Sequence, residues 1–427
     1  MRAYINFLPI LFFIVLYVGT GVYCSIQGID NAFYQLSPTV AIIPAIMLGL
    51  FLHKGTSTEK LNQFLDGVRH RDIIMMCIVF ILAGAFSAVT TAIGSIDATI
   101  NLALSLIPTQ FLLLGLFITA AFISTAIGTS MGTIATIAPI AVGLVDQGIF
   151  PASLAMGTIV GGAMFGDNLS MISDTTIASV MSQEADIKKK WNLNAKIAAI
   201  SGVVTLFVLF FAHNSEVAIE AKDYSLVLVL PYIFLLALAL MGINVFIVLL
   251  AAILFAGGVG FIYQDYNILA FTNDISKGFS SMQEIMLLSL LVGGLSGLAS
   301  NSQKEFAAKL SEWISAKGSK RMAQLVIAKI VSIFDILLAN NVVAIVFSGE
   351  MARDIAKKYH IPKHYSAVWL DIFSCVFQGL IPYGAQILLA STVAGISPLE
   401  ITPYVFYCFV LFVVSIIFIM VNKKLED

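Results

Sequence analysis

The stretch Gly161-Gly162-Ala163-Met164-Phe165-Gly166-Asp167-Asn168-Leu169-Ser170-Met171-Ile172-Ser173-Asp174-Thr175-Thr176 sets two aspartates and a run of small polar side chains inside an apolar segment. No Lys or Arg stands near them in the chain. A carboxylate at the centre of a membrane helix costs about 2.5–3.5 kcal/mol even on lenient scales. A bound cation or a proton is therefore expected to offset it. The glycines permit a broken helix, and freed carbonyls with Asn168, Ser170, Ser173 and Thr175 supply the hard oxygen ligands that Na+ prefers. Asp167 and Asn168 are the expected Na+ ligands, with Asp174 beside them. The competing reading is a polar patch on a helix interface, where small residues also gather. Two carboxylates are costly for packing alone.

The rest of the chain agrees with a membrane setting. Of its 427 residues 59% are hydrophobic and 11% charged, and mean hydropathy is +0.96. A soluble domain carries about 25% charged residues. This excludes an ordinary cytosolic enzyme and a disordered chain. With 23 Lys and Arg against 25 Asp and Glu no basic excess exists to hold nucleic acid. Cys24, Cys77, Cys375 and Cys408 lack the spacing of a metal or redox site and read as buried apolar residues. No small-residue cleavage site follows the first apolar stretch, which reads as a retained helix. No Walker motif or zinc cluster is found, and Gly257-Gly258-Val259-Gly260 lacks the Lys-Ser/Thr of a phosphate loop. No cofactor is expected beyond Na+ as a coupling ion.

Apolar runs predict full crossings near 6–24, 37–52, 72–93, 154–181, 197–212, 225–240, 244–262, 284–300, 365–391 and 401–421. The chain 225–262 is too long for one span, and Gly242-Ile243-Asn244 is the natural turn within it. Two regions, 109–146 and 323–351, are read as entering and leaving on one side. The basic groups then share a side: Lys54, Lys60, Arg69 and Arg71; Lys188, Lys189, Lys190 and Lys196; Lys304, Lys309, Lys317, Lys320 and Arg321; Arg353, Lys357, Lys358 and Lys363; and Arg2, Lys423 and Lys424 at the termini. By the positive-inside rule that side, with both termini, is cytoplasmic. Lys222 and Lys277 fall outside.

The order of elements repeats at an offset of about 210 residues, Met76 falling on Met286, Gly84 on Gly294 and Leu169 on Leu380. Residues 1–212 form the first unit, with hairpin 109–146 and broken helix 154–181. Residues 213–427 form the second, with hairpin 323–351 and broken helix 365–391. Five crossings in each force the second unit to run inverted. The expected fold is an all-α polytopic membrane protein of two inverted repeats, with about ten transmembrane helices, two re-entrant hairpins and two broken helices.

Region 109–146 centres on Ile127-Gly128-Thr129-Ser130-Met131-Gly132-Thr133 and region 323–351 on Ala339-Asn340-Asn341. Small polar residues amid an apolar stretch fit a re-entrant tip, whose free backbone groups must line a wet or buried cavity. Two full crossings joined by a tight turn would serve the sidedness equally well. The second break, Gln378-Gly379-Leu380-Ile381-Pro382-Tyr383-Gly384-Ala385-Gln386, has a proline and glycines but no acid. Asp371 lies one to two turns before it and Asp335 on a hairpin arm. Each is read as an ion ligand or proton carrier, or as paired with Lys329 or a cytoplasmic lysine. The five histidines stand in loops or at span ends, so a histidine relay is not expected, and Glu350 is read as solvated.

The segment 166–176, with Gly128-Thr129-Ser130-Met131-Gly132-Thr133 and Gly161-Gly162-Ala163, resembles the NhaC-type sodium:proton antiporter family of bacteria. The resemblance covers most of the chain in layout and is specific over 124–180. It implies the ion-transporter superfamily architecture, often dimeric, in the cytoplasmic (inner) membrane. It also implies an ion and substrate site at the hairpin tips and breaks: Thr129, Ser130, Asp167, Asn168 and Ser170, then Asn340, Asn341 and Gln378. Families of this architecture include symporters of organic acids and amino acids as well as antiporters, so two functions stand open. One is exchange of Na+ for H+ on the aspartates. The other is Na+-coupled uptake of a small solute, such as an amino acid or organic acid, held at helix N-termini. The room between Asn341 and Asp174 discriminates between them. A membrane scaffold or sensor is a third class, against which the buried acids speak.

Overall fold

The computed structural model describes residues 8–29, 35–106, 108–171, 173–212, 222–241, 243–314 and 319–421. Arg2, Lys317, Lys423 and Lys424 of the charge map lie outside the described residues, as do Gly242 and Ile172. Among the described residues every regular element is a helix. The first half runs α1 (Leu8–Ile26), α2 (Pro38–Leu52), α3 (Ser57–Val68), α4 (Arg71–Ala92), α5 (Ser95–Leu106), α6 (Thr109–Ile127), α7 (Ser130–Asp146), α8 (Ala152–Leu169), α9 (Asp174–Gln183) and α10 (Ile187–Ala212). The second runs α11 (Leu226–Leu240), α12 (Val245–Tyr263), α13 (Ile268–Ser281), α14 (Gln283–Ile314), α15 (Lys320–Leu338), α16 (Asn341–Lys358), α17 (Lys363–Gln378), α18 (Ala385–Ala394), α19 (Pro398–Ile401), a short 3-10 turn (Thr402–Tyr404) and α20 (Phe406–Val421). By length and composition four of these helices can each cross a membrane, or six spans form if two bent pairs count as one each. Several shorter apolar helices accompany them. This is a multi-pass membrane protein.

Both central breaks fall where the small polar residues stand. Gly128 ends α6 at φ 78°, and Thr129 leads extended into α7 at φ −150°. Ala339 ends α15 at φ 50°, and Asn340 leads into α16 at φ −149°. Each pair therefore turns the chain by a left-handed residue followed by an extended one. Each residue of the second pair stands 211 positions after its counterpart in the first. Helix α11 ends at Leu240 and α12 begins at Val245, with the Asn244 side chain capping α12 by accepting from Phe246 N–H.

Four expectations need correction. The stretches 53–71 and 263–283, which connect the predicted crossings, contain the capped amphipathic helices α3 and α13. Thr56 and Glu59 cap α3 reciprocally, and Asn267 caps α13. Each polar stretch hides one apolar stripe, which packs on the opposite half: α3 on α14, and α13 on α4. A Cβ on Gly67 would stand 2.2 Å from the Gly293 carbonyl oxygen, and one on Gly84 equally close to that of Gly278. Only glycine permits such backbone approach.

Second, the span at 284–300 continues as α14 through the basic stretch to Ile314, and a further helix, α5, fills 95–106. Third, Lys188, Lys189, Lys190 and Lys196 belong to α10, a helix of 26 residues, about 39 Å long at 1.5 Å per residue. Fourth, Gly161, Gly162 and Gly166 do not break α8. They let it press on its neighbours, a Cβ at Gly166 falling 2.3 Å from the Ala121 carbonyl oxygen of α6 and one at Gly162 2.6 Å from that of Phe117. The chain leaves helical geometry only at Ser170.

Candidate functional site

The two hairpin turns and two helix breaks converge on one cavity of about 110 Å³. Thr129, Ser130, Asp167, Ser173, Asp174 and Thr175 line it from the first half. Ala339, Asn340, Asn341, Gln378 and Gln386 line it from the second, while Met75, Met76, Val79 and Val245 supply apolar wall.

Asp167 is the centre of this arrangement. It lies in the last turn of α8, is 6% exposed, and has no salt-bridge partner among the described residues. One carboxylate oxygen accepts from the Ser130 hydroxyl at 2.8 Å and the Ser130 N–H at 3.4 Å. The other accepts from the Ser173 hydroxyl at 2.5 Å. Ser130 opens α7 and Ser173 caps α9, so the acid joins the hairpin tip to the far side of its own break. Thr175 extends the chain of oxygens, 2.9 Å from Ser173. Hydroxyls that donate to a carboxylate can turn their lone pairs to a cation, since a hydroxyl is both donor and acceptor. Asp174, in the first turn of α9, is exposed and stands at the cavity wall.

The second half answers with amides. Gln378, which ends α17, donates to the Ala339 carbonyl at 3.4 Å and to Gln386 at 2.8 Å. Gln386 in turn donates to the Ser130 hydroxyl at 3.1 Å, so the two halves are linked by hydrogen bonds across the cavity. Asn340 caps α16 through its side-chain oxygen, which accepts from Val343 N–H. Asn341 accepts from Val342 N–H.

Three expected site residues lie elsewhere. Ser170 is buried and does not line the cavity. Asn168 turns to the opposite face of α8, where it contacts Tyr407 and accepts from Asn194. Asp371 is fully buried in a salt bridge with Lys190, itself 1% exposed. Lys190 also donates to Thr176 at 2.8 Å, and Asn194 donates to Asp371 at 3.2 Å. Of the alternatives for Asp371, pairing with a lysine is the one the fold adopts, though the partner comes from inside α10. The helical period gives the physical reason. Lys190 and Asn194 are four residues apart and share one face, a face that the basic cluster hides when read as a loop.

Sequence reasoning missed Gln386, Lys190, Asn194 and Tyr407. Gln386 was legible in principle, because it stands 211 positions after Thr175 and one turn from the second break.

A helical membrane protein whose polar groups converge at paired helix breaks belongs to the transporters, not the enzymes. Residues 3–213 match the Na+/H+ antiporter family. The Na(+)/H(+) antiporter NhaC of Bacillus subtilis is 25% identical over 86% of this chain and 87% of that protein. The Malate-2H(+)/Na(+)-lactate antiporter of the same organism is 22% identical over 96% of this chain and 94% of that protein. The NhaC of Alkalihalophilus pseudofirmus is 31% identical over 32% of this chain and 29% of that protein. Over its first half the chain thus resembles the Na+/H+ antiporter family, and it is similar to an NhaC antiporter along most of its length.

Proposed function

We propose that this protein exchanges Na+ for H+ across the bacterial cytoplasmic membrane by alternating access. The single observation that carries this reading is Asp167: a buried carboxylate at a helix break, answered by hydroxyls and no cation. With Na+ bound, the carboxylate's charge is neutralised and the oxygens of Ser130, Ser173 and Thr175 complete the shell. When Na+ leaves, a proton takes its place on Asp167, because an empty buried carboxylate is too costly to carry across. Each occupant excludes the other, and that exclusion is the coupling. Thr129, Asp174, Asn340, Asn341 and Gln378 form the remaining wall, holding position and supplying dipoles. Asn168, Ser170 and Asp371 support the site from behind.

The architecture we infer is two inverted repeats, residues 1–212 and 213–427, with ten crossings, re-entrant hairpins and both termini in the cytoplasm. The matched turns at Gly128-Thr129 and Ala339-Asn340 support it, as do the reciprocal packing of α3 and α13 and the breaks at Ser170 and Gly379. A homodimer is expected from the resemblance of the chain to its family.

The alternative reading, Na+-coupled movement of a small solute, draws on four helix N-termini that meet the cavity, those of α7, α9, α16 and α18. Such ends favour a carboxylate. The volume speaks against it. About 110 Å³ holds an ion with several waters but falls below the roughly 300–1,000 Å³ of ordinary ligand pockets.

The test uses purified protein in liposomes with a trapped pH dye and an imposed proton gradient. Addition of Na+, and not K+, should collapse the gradient in the absence of any organic acid. If Na+ moves no protons until malate, lactate or an amino acid is supplied, the solute reading replaces exchange.

A further inference from the structure

Asp335 is unlike any other acid here. It lies on α15, one turn before the second hairpin tip, and is 0% exposed. Neither of its carboxyl oxygens has a hydrogen-bond partner. Lys329, on the same helix, is exposed and forms no salt bridge with it among the described residues. Among the described side chains its surroundings offer no compensating cation. From α17 the titratable groups in charge range are Cys375 and, in the break beyond, Tyr383. Asp371 on α17 is already paired with Lys190. The charges of α16 (Glu350, Arg353, Asp354, Lys357 and Lys358) gather in its C-terminal half. In its described side chains α14 has Glu284, which is bonded to Ser37 and Thr39 at its far end. α20 has Tyr407 and Cys408 and no charged side chain.

An ionised carboxylate in that position would have neither counter-ion nor donor, and burying one so is prohibitive. The group is a neutral acid and holds a proton. The other half of the molecule shows what that proton can do. Ser124 stands 211 positions earlier, on the matching arm of the first hairpin. Its hydroxyl donates to the Ala163 carbonyl of α8 at 2.6 Å. Only the protonated form of Asp335 can act as a donor in the same way. The Asp335 carbonyl accepts from Ala339 N–H, and the Ala339 carbonyl accepts from Gln378 at the cavity. The acid is thus one turn removed from the cavity wall.

We propose that Asp335 is a second proton site, separate from the Na+ site, which adds one proton per cycle to the one that replaces Na+ on Asp167. The inference rests on the exchange reading above. In this scheme water that enters the cavity with Na+ hydrates the Asp335 carboxylate and takes its proton, and when Na+ and that water leave, a proton from the other side returns before the acid is sealed dry again. No covalent bond other than O–H is broken or made.

The experiment measures the H+:Na+ ratio in liposomes, by finding the proton gradient that holds a given Na+ gradient at zero net flux. Wild type, Asp335→Asn and Asp335→Glu are compared, each with 22Na+/Na+ exchange as an independent readout of the Na+ site. The expected result is that Asp335→Asn keeps 22Na+/Na+ exchange and loses one proton from the ratio, while Asp335→Glu keeps both. Infrared difference spectra of wild type against Asp335→Asn should show a protonated carboxyl band that shifts in D2O, whatever the transport rate. An unchanged ratio in Asp335→Asn overturns the proposal. So does loss of both fluxes in a variant that elutes and melts like wild type, or absence of the carboxyl band. If wild type itself moves no protons with Na+, the exchange reading has failed, and this inference with it. That outcome is distinct from a failure in the variant alone.

Discussion

The two helix breaks occupy matching positions, yet one ends in Asp167 and the other in Gln378. The hairpin arms show the reverse, Ser124 on the first and Asp335 on the second. Each half therefore holds one acid in a place where the other holds a neutral polar group. The acids differ in setting: Asp167 lines the cavity among hydroxyls, whereas Asp335 is fully buried with neither carboxyl oxygen hydrogen-bonded. A carboxylate that accepts hydrogen bonds is stabilised in its charged form, and one without partners in its neutral form. One backbone design has thus been given two chemical characters by four side chains. An ion site and a proton site follow from that division.

The largest expected effect tests the first side of it. Asp167→Asn removes the charge and keeps the size, so Na+-driven proton movement in liposomes should vanish. Gln378→Ala removes a donor from the opposite break and should weaken Na+ dependence by about tenfold, the equivalent of about 1.4 kcal/mol or one hydrogen bond's worth. Equal losses in the two variants would break the distinction between the halves.

Next in size is the buried pair that joins the halves, Lys190 of α10 and Asp371 of α17. Lys190→Met or Asp371→Asn leaves a charge buried without its partner and should cost about 3–5 kcal/mol, read by thermal unfolding in detergent. The double substitution Lys190→Met with Asp371→Leu should recover most of this. If Asp371→Asn unfolds normally but stops transport, Asp371 is an ion ligand after all, and the second half holds a charged site of its own.

These residues also show how far the sequence could be read. The turns at Gly128-Thr129 and Ala339-Asn340 were legible because small or polar residues stand within apolar runs, where an interrupted helix suits them, whereas the break after Leu169 was expected at the glycines before it. Asp167 was legible from its cost alone. Lys190 was not, because charge counting assigns every lysine of a cluster to the water side. Its burial depends on Asp371, 181 positions away. The amphipathic helices α3 and α13 were hidden for a related reason: 12 and 14 residues with a polar face resemble loops until the surface they cover is known. The glycines of α8 were misread as flexibility, since close helix packing and helix breaking use the same residue.

A smaller effect separates the two hairpin turns. Both hold a left-handed residue, but the first uses glycine and the second alanine. Gly128→Ala should destabilise by about 1–2 kcal/mol, the left-handed penalty of a side chain. Ala339→Gly should relieve a similar strain, partly offset by the added freedom of the unfolded chain. Paired melting curves would check the sign of each. Equal responses would mean that the two tips are not conformationally equivalent.

The smallest expected effect lies at the surface, where the halves meet again. Glu184, beyond the end of α9, accepts from Lys363 at 2.9 Å and Arg353 at 3.2 Å. The Lys363 ammonium, and behind it the Arg353 guanidinium, hold its carboxyl below the ordinary value of 4.5. A carboxyl lowered by folding adds stability that is present above the ordinary value and is lost as pH falls toward the lowered one. Wild type should therefore lose slightly more stability than Glu184→Gln as pH drops below about 4.5, and lead it slightly at neutral pH. High salt should erase the difference, because the group is exposed and its partners are screened. A neutral-pH difference as large as that from Lys190→Met would show that the surface contact, and not the buried pair, holds the two halves together. The contrast between an ion-binding half and a proton-binding half would then need a different mechanical link.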